Sequence, residues 1–93
     1  METLDDAEIA RRLDALPQWR REGDAICREY ELPDFVEALG LIARIGALAE
    51  RANHHPTLTS SYNRLRVELS THDAGGITER DFALARAIEE RAV

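Results

Sequence analysis

The chain has 93 residues, of which 44% are hydrophobic and 32% charged, and its formal net charge is −6. This length accommodates one domain and excludes two, so we predict a single domain over residues 1–93. A core of this size is marginal, which favours association with further copies of the chain. The acidic balance argues against nucleic acid as a partner, because proteins that bind phosphate backbones collect lysine and arginine.

The sequence also argues against a membrane protein and a disulfide scaffold. No apolar run approaches the roughly 18 residues that span a bilayer. The acidic start METLDDAEIA lacks the features of a signal peptide, so we expect a cytoplasmic location and no membrane association. The single cysteine, Cys27, excludes an intramolecular disulfide and a cysteine-rich zinc site. Its apolar neighbours predict a strand residue that behaves as a small hydrophobe, rather than a reactive thiol.

The first third of the chain predicts a helix followed by a hairpin. Apolar residues recur at helical spacing at Ile9, Leu13 and Leu16. Asp5 and Asp6 suit the start of this helix, and Pro17 is expected to end it. The runs WRRE and AICREYEL then flank Gly23-Asp24, which predicts a β-hairpin between Trp19 and Leu32.

The remaining two thirds predict a long helix, a second hairpin and a last helix. Asp34 offers an N-cap, and apolar residues at steps of three and four predict one amphipathic helix over about 35 to 53, closed by Asn53 and Pro56. Strands are predicted over 57–62 and 64–72, because Leu65, Val67, Leu69 and Thr71 alternate with polar residues. Thr78 is expected to cap the last helix, with Asp81 as the acid of a capping box.

This order predicts the fold class. Hairpins of antiparallel strands separated by helices indicate an α+β domain in the order α-β-β-α-β-β-α. We expect a four-stranded antiparallel sheet with the three helices packed on one face.

Chemistry is indicated by the histidines, since all three in the chain lie within 19 positions, at His54, His55 and His72. His54 and His55 follow the long helix, with Glu50 one turn before His54. Imidazole is the side chain best suited to exchange protons near neutral pH. The second hairpin is expected to bring His72 back towards the pair.

Other interpretations of these residues stay open on spacing alone. A His-His pair at a helix end also serves as a cap followed by an exposed loop residue, and a lone histidine at a strand end is commonly exposed or structural. Glu50 also fits a solvated helix position, and Tyr62 fits a packing role. Three histidines suit zinc, but adjacent histidines usually point apart and the spacing matches no standard ligand pattern, so we predict no metal.

The spacing of seven residues resembles the signature of the pterin-4a-carbinolamine dehydratase family. The chain reads Glu50, three residues, His54-His55-Pro56, five residues, Tyr62, nine residues, His72, eight residues, Asp81. The resemblance extends through Tyr62-Asn63-Arg64 and residues 71–78, and covers about residues 17 to 90. The segment Thr-Leu-Thr-Ser-Ser after Pro56 departs from relatives that carry aromatic residues there, which affects part of the pocket wall.

The resemblance implies an activity and partners. Members of this family eliminate water from a 4a-hydroxytetrahydropterin to give the quinonoid dihydropterin, which recycles the tetrahydrobiopterin-type cofactor of aromatic amino acid hydroxylases. It therefore implies a hydro-lyase with a pterin substrate, a functional link to such a hydroxylase, and a homodimer or homotetramer. No cofactor is expected, because the pterin is itself the substrate.

We assign roles to the signature residues as a hypothesis. His54 and His72 act as the proton-transfer pair, His55 orients the pterin, and Glu50 holds an imidazole. If only the loss of His55 abolishes turnover, the roles are interchanged. The substrate pocket is expected to include Glu50, Pro56, Thr71, Asp73 and Ala74. Asp81 and Tyr62 are expected to support the site through other residues, Asp81 by bonding the loop that carries His72.

A non-catalytic role is the alternative. Family relatives in animals also act as dimerisation partners of a transcription factor, and a fold alone does not decide between catalysis and binding. On this alternative, the long helix from Phe35 to Ala52 is the interaction surface. Three histidines at the spacing of the family signature favour catalysis, because a purely structural or binding role does not require them.

Overall fold

The computed structural model describes residues 2–93. Its three α-helices and four strands follow one another in the predicted order, and one short 3₁₀ helix, which was not predicted, is added to them. The helices are α1 (Asp6–Leu13), α2 (Phe35–Ala52) and α3 (Glu79–Arg91), and the strands are β1 (Arg20–Glu22), β2 (Ala25–Glu31), β3 (Thr57–Ser61) and β4 (Arg64–Leu69). The 3₁₀ helix η1 covers His72–Ala74, between β4 and α3.

The four strands form one antiparallel sheet in the order β1-β2-β4-β3. Each hairpin therefore has its second strand in the centre and its first strand at an edge. In the central pair, Ile26 lies opposite Leu69 and Tyr30 opposite Leu65. Because side chains alternate along a strand, this register places these apolar residues on the same face of the sheet.

The core lies between that face and the three helices. Leu65, Val67 and Leu69 are almost fully buried, as the alternation in the sequence predicts. The helices contribute the other large side chains of the cluster, among them Ile9 from α1, Leu41 and Ile45 from α2, and Phe82, Leu84 and Ile88 from α3. The predicted arrangement, with the helices on one face, is confirmed. The opposite face carries charged residues and the buried Cys27.

The ends of α2 and α3 follow from local sequence. The Asp34 side chain accepts a hydrogen bond from the backbone N–H of Glu37 at the start of α2. Asn53 ends α2 in the left-handed conformation, with φ of 50°. At the start of α3, Thr78 and Asp81 form the predicted capping box. The predicted caps of α2 and α3 are thus confirmed.

Two predicted boundaries were wrong. Helix α1 ends at Leu13 rather than at Pro17, and tighter turns carry the chain onward, with the N–H of Leu16 donating to the carbonyl of Leu13. Leu16 is nonetheless buried, so its apolar spacing reports burial and not helix. Strand β4 ends at Leu69 rather than at His72. After Ser70, Thr71 forms a single bridge with Gly76, and the chain turns tightly between them.

No helix in residues 2–93 has both the length and the apolar character needed to cross a bilayer. The cytoplasmic location stays a prediction.

Candidate active site

The end of α2 positions two of the three histidines. The backbone N–H of His54 donates to the carbonyl of Ala49, and that of Asn53 donates to the carbonyl of Glu50. These two bonds, around a left-handed residue, define a Schellman motif. The motif turns the chain away from the helix axis, so that His54 and His55 leave α2 in different directions. Pro56 follows, and β3 begins at the next residue.

His54 turns inwards and pairs with Asp81 from the first turn of α3. Its Nε2 lies 2.6 Å from Oδ1 of Asp81. The imidazole is 8% exposed and the carboxyl group is fully buried. Because an ionised carboxylate only accepts hydrogen bonds, the N–H on Nε2 donates, and Nδ1 is the ring nitrogen left for other partners. This pair fixes the orientation of the imidazole.

A chain of hydroxyl groups holds Asp81 from its other side. Oδ2 of Asp81 accepts from the hydroxyl of Thr71 and from the backbone N–H of Thr78, both at 2.9 Å. The Oγ1 atoms of the two threonines lie 2.8 Å apart. Since each hydroxyl has one proton and that of Thr71 goes to Asp81, the hydroxyl of Thr78 donates to Thr71. Both carboxyl oxygens of Asp81 are thus engaged, as a buried polar group requires.

His55 turns outwards and pairs with Glu50. Its Nε2 lies 2.5 Å from Oε1 of Glu50, and both side chains are more than half exposed. The sequence places Glu50 one turn before His54, where an i to i+4 contact would be expected on a continuing helix. The Schellman motif removes His54 from that position and gives the carboxylate to His55. Two imidazole–carboxylate pairs therefore stand on consecutive residues.

His72 is the first residue of the 3₁₀ helix η1, and its side chain is exposed. It lines a cavity of about 370 Å³ whose other walls include Asp24, Glu68 and Ser70. Gly75 leaves η1 with φ of 82°, a conformation that favours glycine. The register pairs Thr57 with Glu68, so the chain just before β3, which carries His55, runs towards the segment just after β4, which leads to His72.

Ion pairs on the open face of the sheet border this cavity. Glu22, which also lines it, accepts hydrogen bonds from Arg66 at 2.6 Å and from Arg20 at 2.9 Å. These contacts, led by that of Arg66, lower the pKa of Glu22 to about 2. Burial raises the pKa of the Cys27 thiol beneath them. The predicted role of Cys27 as a buried strand residue is confirmed.

Four of the remaining predicted residues lie close to His55 or His72 along the chain. Pro56, Asp73 and Ala74 lie on the two segments that carry His55 and His72. Thr71 lies there as well, but it is buried and its hydroxyl is committed to Asp81. Asp81 does bond the segment that leads to His72, through Thr71, as predicted.

Tyr62 is the exception. It lies in the turn between β3 and β4, at the opposite end of that hairpin from His55 and His72, and its side chain is 67% exposed. The five residues of β3 separate it from the histidines by about 16 Å. It therefore contacts neither the site nor the core, contrary to both expectations for it. Its φ of 51° explains its position: it is the left-handed residue of a tight turn.

Sequence reasoning missed the part played by Thr78. Its capping role was predicted, but its hydroxyl also extends the network of Asp81 through Thr71. The sequence did contain a signal for this role. A threonine that caps a helix lies close to the acid of the same capping box, so its hydroxyl can join the hydrogen bonds around that acid. Asp24 was also missed as a neighbour of His72, because it comes from the turn between β1 and β2, far from His72 in the sequence. Within residues 2–93, no three ligating side chains stand close enough to hold a metal ion.

Comparison with known proteins assigns the chain to a family. The profile of the family described as "Pterin 4 alpha carbinolamine dehydratase" matches residues 2–91. The chain belongs to this family. Its members are hydro-lyases, so the chain is classed with them. A protein of Thermomicrobium roseum, provisionally named a pterin-4-alpha-carbinolamine dehydratase, is 52% identical over 92 residues, with 99% of each chain covered. One of Chloroflexus aurantiacus with the same provisional name is 48% identical, with 97% of each covered.

Solved structures agree with the family assignment. A crystal structure from Brucella melitensis, described as a transcriptional coactivator/pterin dehydratase, superimposes with a TM-score of 0.93 at 35% identity, covering 99% of this chain and 100% of that one. A pterin dehydratase-like protein described as a RuBisCO assembly factor of the alpha-carboxysome has a TM-score of 0.66 at 17% identity, covering 78% and 87%. At that identity the likeness concerns the fold alone.

Proposed function

We propose that the chain eliminates water from a 4a-hydroxytetrahydropterin and releases the quinonoid dihydropterin. The observation that carries this proposal is the pair of imidazole–carboxylate contacts on His54 and His55, with His72 on the neighbouring turn. Family membership supports the same activity. The reaction would return an oxidised pterin for reduction, so the hydroxylase that forms the carbinolamine is the proposed metabolic partner.

The reaction has two proton requirements that imidazoles meet. The C4a–O bond breaks with the departure of hydroxide, a poor leaving group, so a proton must be delivered to that oxygen. The proton on N5 must be removed as the C4a–N5 double bond forms. Positioned acid–base groups contribute roughly 10²–10⁴-fold to such steps. The proton given and the proton taken balance, so water and the dihydropterin leave without any other reactant.

Burial divides the roles among the three histidines. Repeated proton transfer requires a ring that also exchanges its proton with solvent, whereas His54 is nearly buried, with Nε2 committed to Asp81 and only Nδ1 left to contact the pterin. We therefore assign proton transfer to His55 and His72, with Glu50 holding the His55 ring. His54, fixed by Asp81, orients the pterin. This interchanges the roles predicted for His54 and His55 from the sequence.

The test is the rate of dehydration of a freshly formed 4a-hydroxytetrahydropterin, followed by ultraviolet absorbance with and without the purified chain. We expect a rate well above the spontaneous one, lost in the double variant His55→Gln/His72→Gln. Both side chains are exposed, so the variant folds, which circular dichroism verifies. A folded wild-type chain that gives no acceleration would refute the proposal.

A second function is favoured by an exposed apolar surface at the start of α2. Phe35, Val36 and Leu39 are 46%, 70% and 47% exposed, although they are large and apolar. Such a patch marks a contact with another protein, and a second copy is the occupant that the small core favours. We propose that this patch forms a homodimer or homotetramer interface. Sedimentation of the wild type and of Val36→Glu checks it: the wild type should be oligomeric and the variant monomeric.

A further inference from the structure

A second cavity, of about 490 Å³, lies between the C-terminal half of α2 and one side of α3. Its floor is apolar and includes Leu48, Ala52, Ala83 and Leu84. Its volume falls within the range of small-molecule sites. His54, the buried histidine of the candidate active site, also lines it. The cavity therefore reaches the histidine that is assigned to orient the pterin.

The rim of this cavity is basic, although the chain as a whole is acidic. Four of the twelve Lys and Arg residues stand around it, with a single acidic residue among the lining side chains. These are Arg51, Arg80, Arg86 and Arg91, with Glu90. The concentration of arginine here contrasts with the net charge of −6 and gives the rim a positive potential.

Two of these arginines are available to a ligand. Arg80 donates to the carbonyl of Asn53, and Arg86 lies 2.8 Å from Glu79. Arg51 and Arg91 are exposed, and neither forms a hydrogen bond or an ion pair through its side chain with any residue in 2–93. Arg51 lies in the last turn of α2 and Arg91 ends α3, so the charges come from both walls of the groove. Unpaired guanidinium groups bind phosphate or carboxylate through paired N–H donors.

We propose that this groove holds an anionic side chain of the pterin substrate, a phosphate ester or a carboxylate. The inference rests on the proposed function. The pterin ring lies at the histidines, and its side chain extends past His54 over the apolar floor to Arg51 and Arg91. A neutral side chain gains the apolar contact alone, whereas an anionic one also gains two charge-assisted hydrogen-bond sites. The groove thereby selects a pterin whose side chain is anionic.

The experiment is a fluorescence titration of the full chain with two oxidised pterins, 6-hydroxymethylpterin and its monophosphate ester. At low ionic strength the ester should bind about tenfold more tightly, since each charge-assisted contact at a partly exposed site adds a few-fold. The preference should shrink as salt is added. It should fall to within about twofold in Arg51→Gln/Arg91→Gln. The control Arg11→Gln/Arg64→Gln, which removes two exposed arginines outside the groove, should keep it.

Each outcome of the titration bears on the proposal. Equal affinity for the two pterins, or a preference that survives in Arg51→Gln/Arg91→Gln, overturns it. So does inorganic phosphate that binds as tightly as the ester, because the groove would then be a site for free anions. If dehydration is accelerated without a preference for the ester, this inference fails alone. A preference without acceleration of dehydration supports the groove and refutes the proposed reaction instead.

Discussion

The pairs His54–Asp81 and His55–Glu50 join the same two functional groups at nearly the same distance, on consecutive histidines. The first is 8% and 0% exposed and the second 57% and 78%. Asp81 accepts three hydrogen bonds, whereas Glu50 accepts one. An exposed ion pair is worth little in stability, and a buried, fully bonded one is costly to break. On the proposed function, burial, and not the type of functional group, therefore decides which histidine holds the pterin and which exchanges protons.

The largest expected effect comes from removing the buried carboxylate. Asp81→Ala leaves the imidazole of His54, the hydroxyl of Thr71 and the N–H of Thr78 without their acceptor. We expect a loss of about 3 kcal/mol in the free energy of unfolding, measured by urea denaturation. The matched variant Glu50→Ala should change it by less than about 0.5 kcal/mol. Equal losses in the two variants would show that burial does not distinguish the pairs.

A smaller loss is expected from the hydroxyl that supports Asp81. Thr71→Val keeps the β-branched shape and removes the donor to Oδ2, which should cost about 1.5 kcal/mol. Thr59→Val, at an exposed position of β3, is the control and should change stability by less than about 0.5 kcal/mol. Thermal unfolding of both variants measures the difference. If Thr71→Val is as stable as the wild type, the hydroxyl chain does not hold Asp81.

A substitution in the exposed pair His55–Glu50 should change the rate of dehydration rather than the stability. Glu50→Gln replaces a charged acceptor of His55 by a neutral one, and charge-assisted hydrogen bonds are about twice as strong. We expect dehydration about tenfold slower, or about 1.4 kcal/mol in the barrier. Its unfolding curve should match that of the wild type. Glu31→Gln, at the far end of β2, serves as the control and should retain the full rate; a Glu50→Gln rate equal to it would remove Glu50 from the site.

The smallest effect concerns acid stability of the open sheet face. The pKa of Glu22 is lowered from 4.5 to about 2 by Arg66 and Arg20, so its contribution is present above pH 4.5 and is lost as pH falls towards 2. Glu22→Gln lacks this contribution. Its melting temperature should therefore fall less steeply than that of the wild type over this window. Glu2→Gln, an exposed carboxylate outside the ion-pair network, should follow the wild type. Parallel curves for all three proteins would contradict the assignment.

The sequence predicted much of the fold because its signals are local. The alternation in β4, the Asp34 and Asn53 caps and the capping box at Thr78 each depend on residues a few positions apart. Asp81, the predicted acid of that box, also lies on the apolar stripe of α3, and it is fully buried. The ends of α1 and β4 were misplaced because apolar spacing reports burial, which continues through Leu16 and Thr71 after regular structure has stopped.

The sequence could not predict which histidine pairs with which carboxylate, and the reason is geometric. Spacing along a helix assigns Glu50 to His54, but the left-handed Asn53 redirects the chain by its backbone conformation. Whether His54 or His55 then meets the core depends on where α3 lies, because the buried partner Asp81 comes from that helix. The seven-residue spacing likewise included Tyr62, which a turn places at the far end of the hairpin. The spacing identified which residues match the family signature, but not which of their side chains face the site.

The most direct test of the account measures stability and dehydration rate on the same samples of His54→Gln and His55→Gln. We expect His55→Gln to unfold like the wild type and to dehydrate the substrate about a hundredfold more slowly. We expect His54→Gln to be less stable by about 1–2 kcal/mol. If His55→Gln keeps its rate within twofold while His54→Gln, still folded, loses it, then the buried histidine carries the proton and the division by burial is wrong.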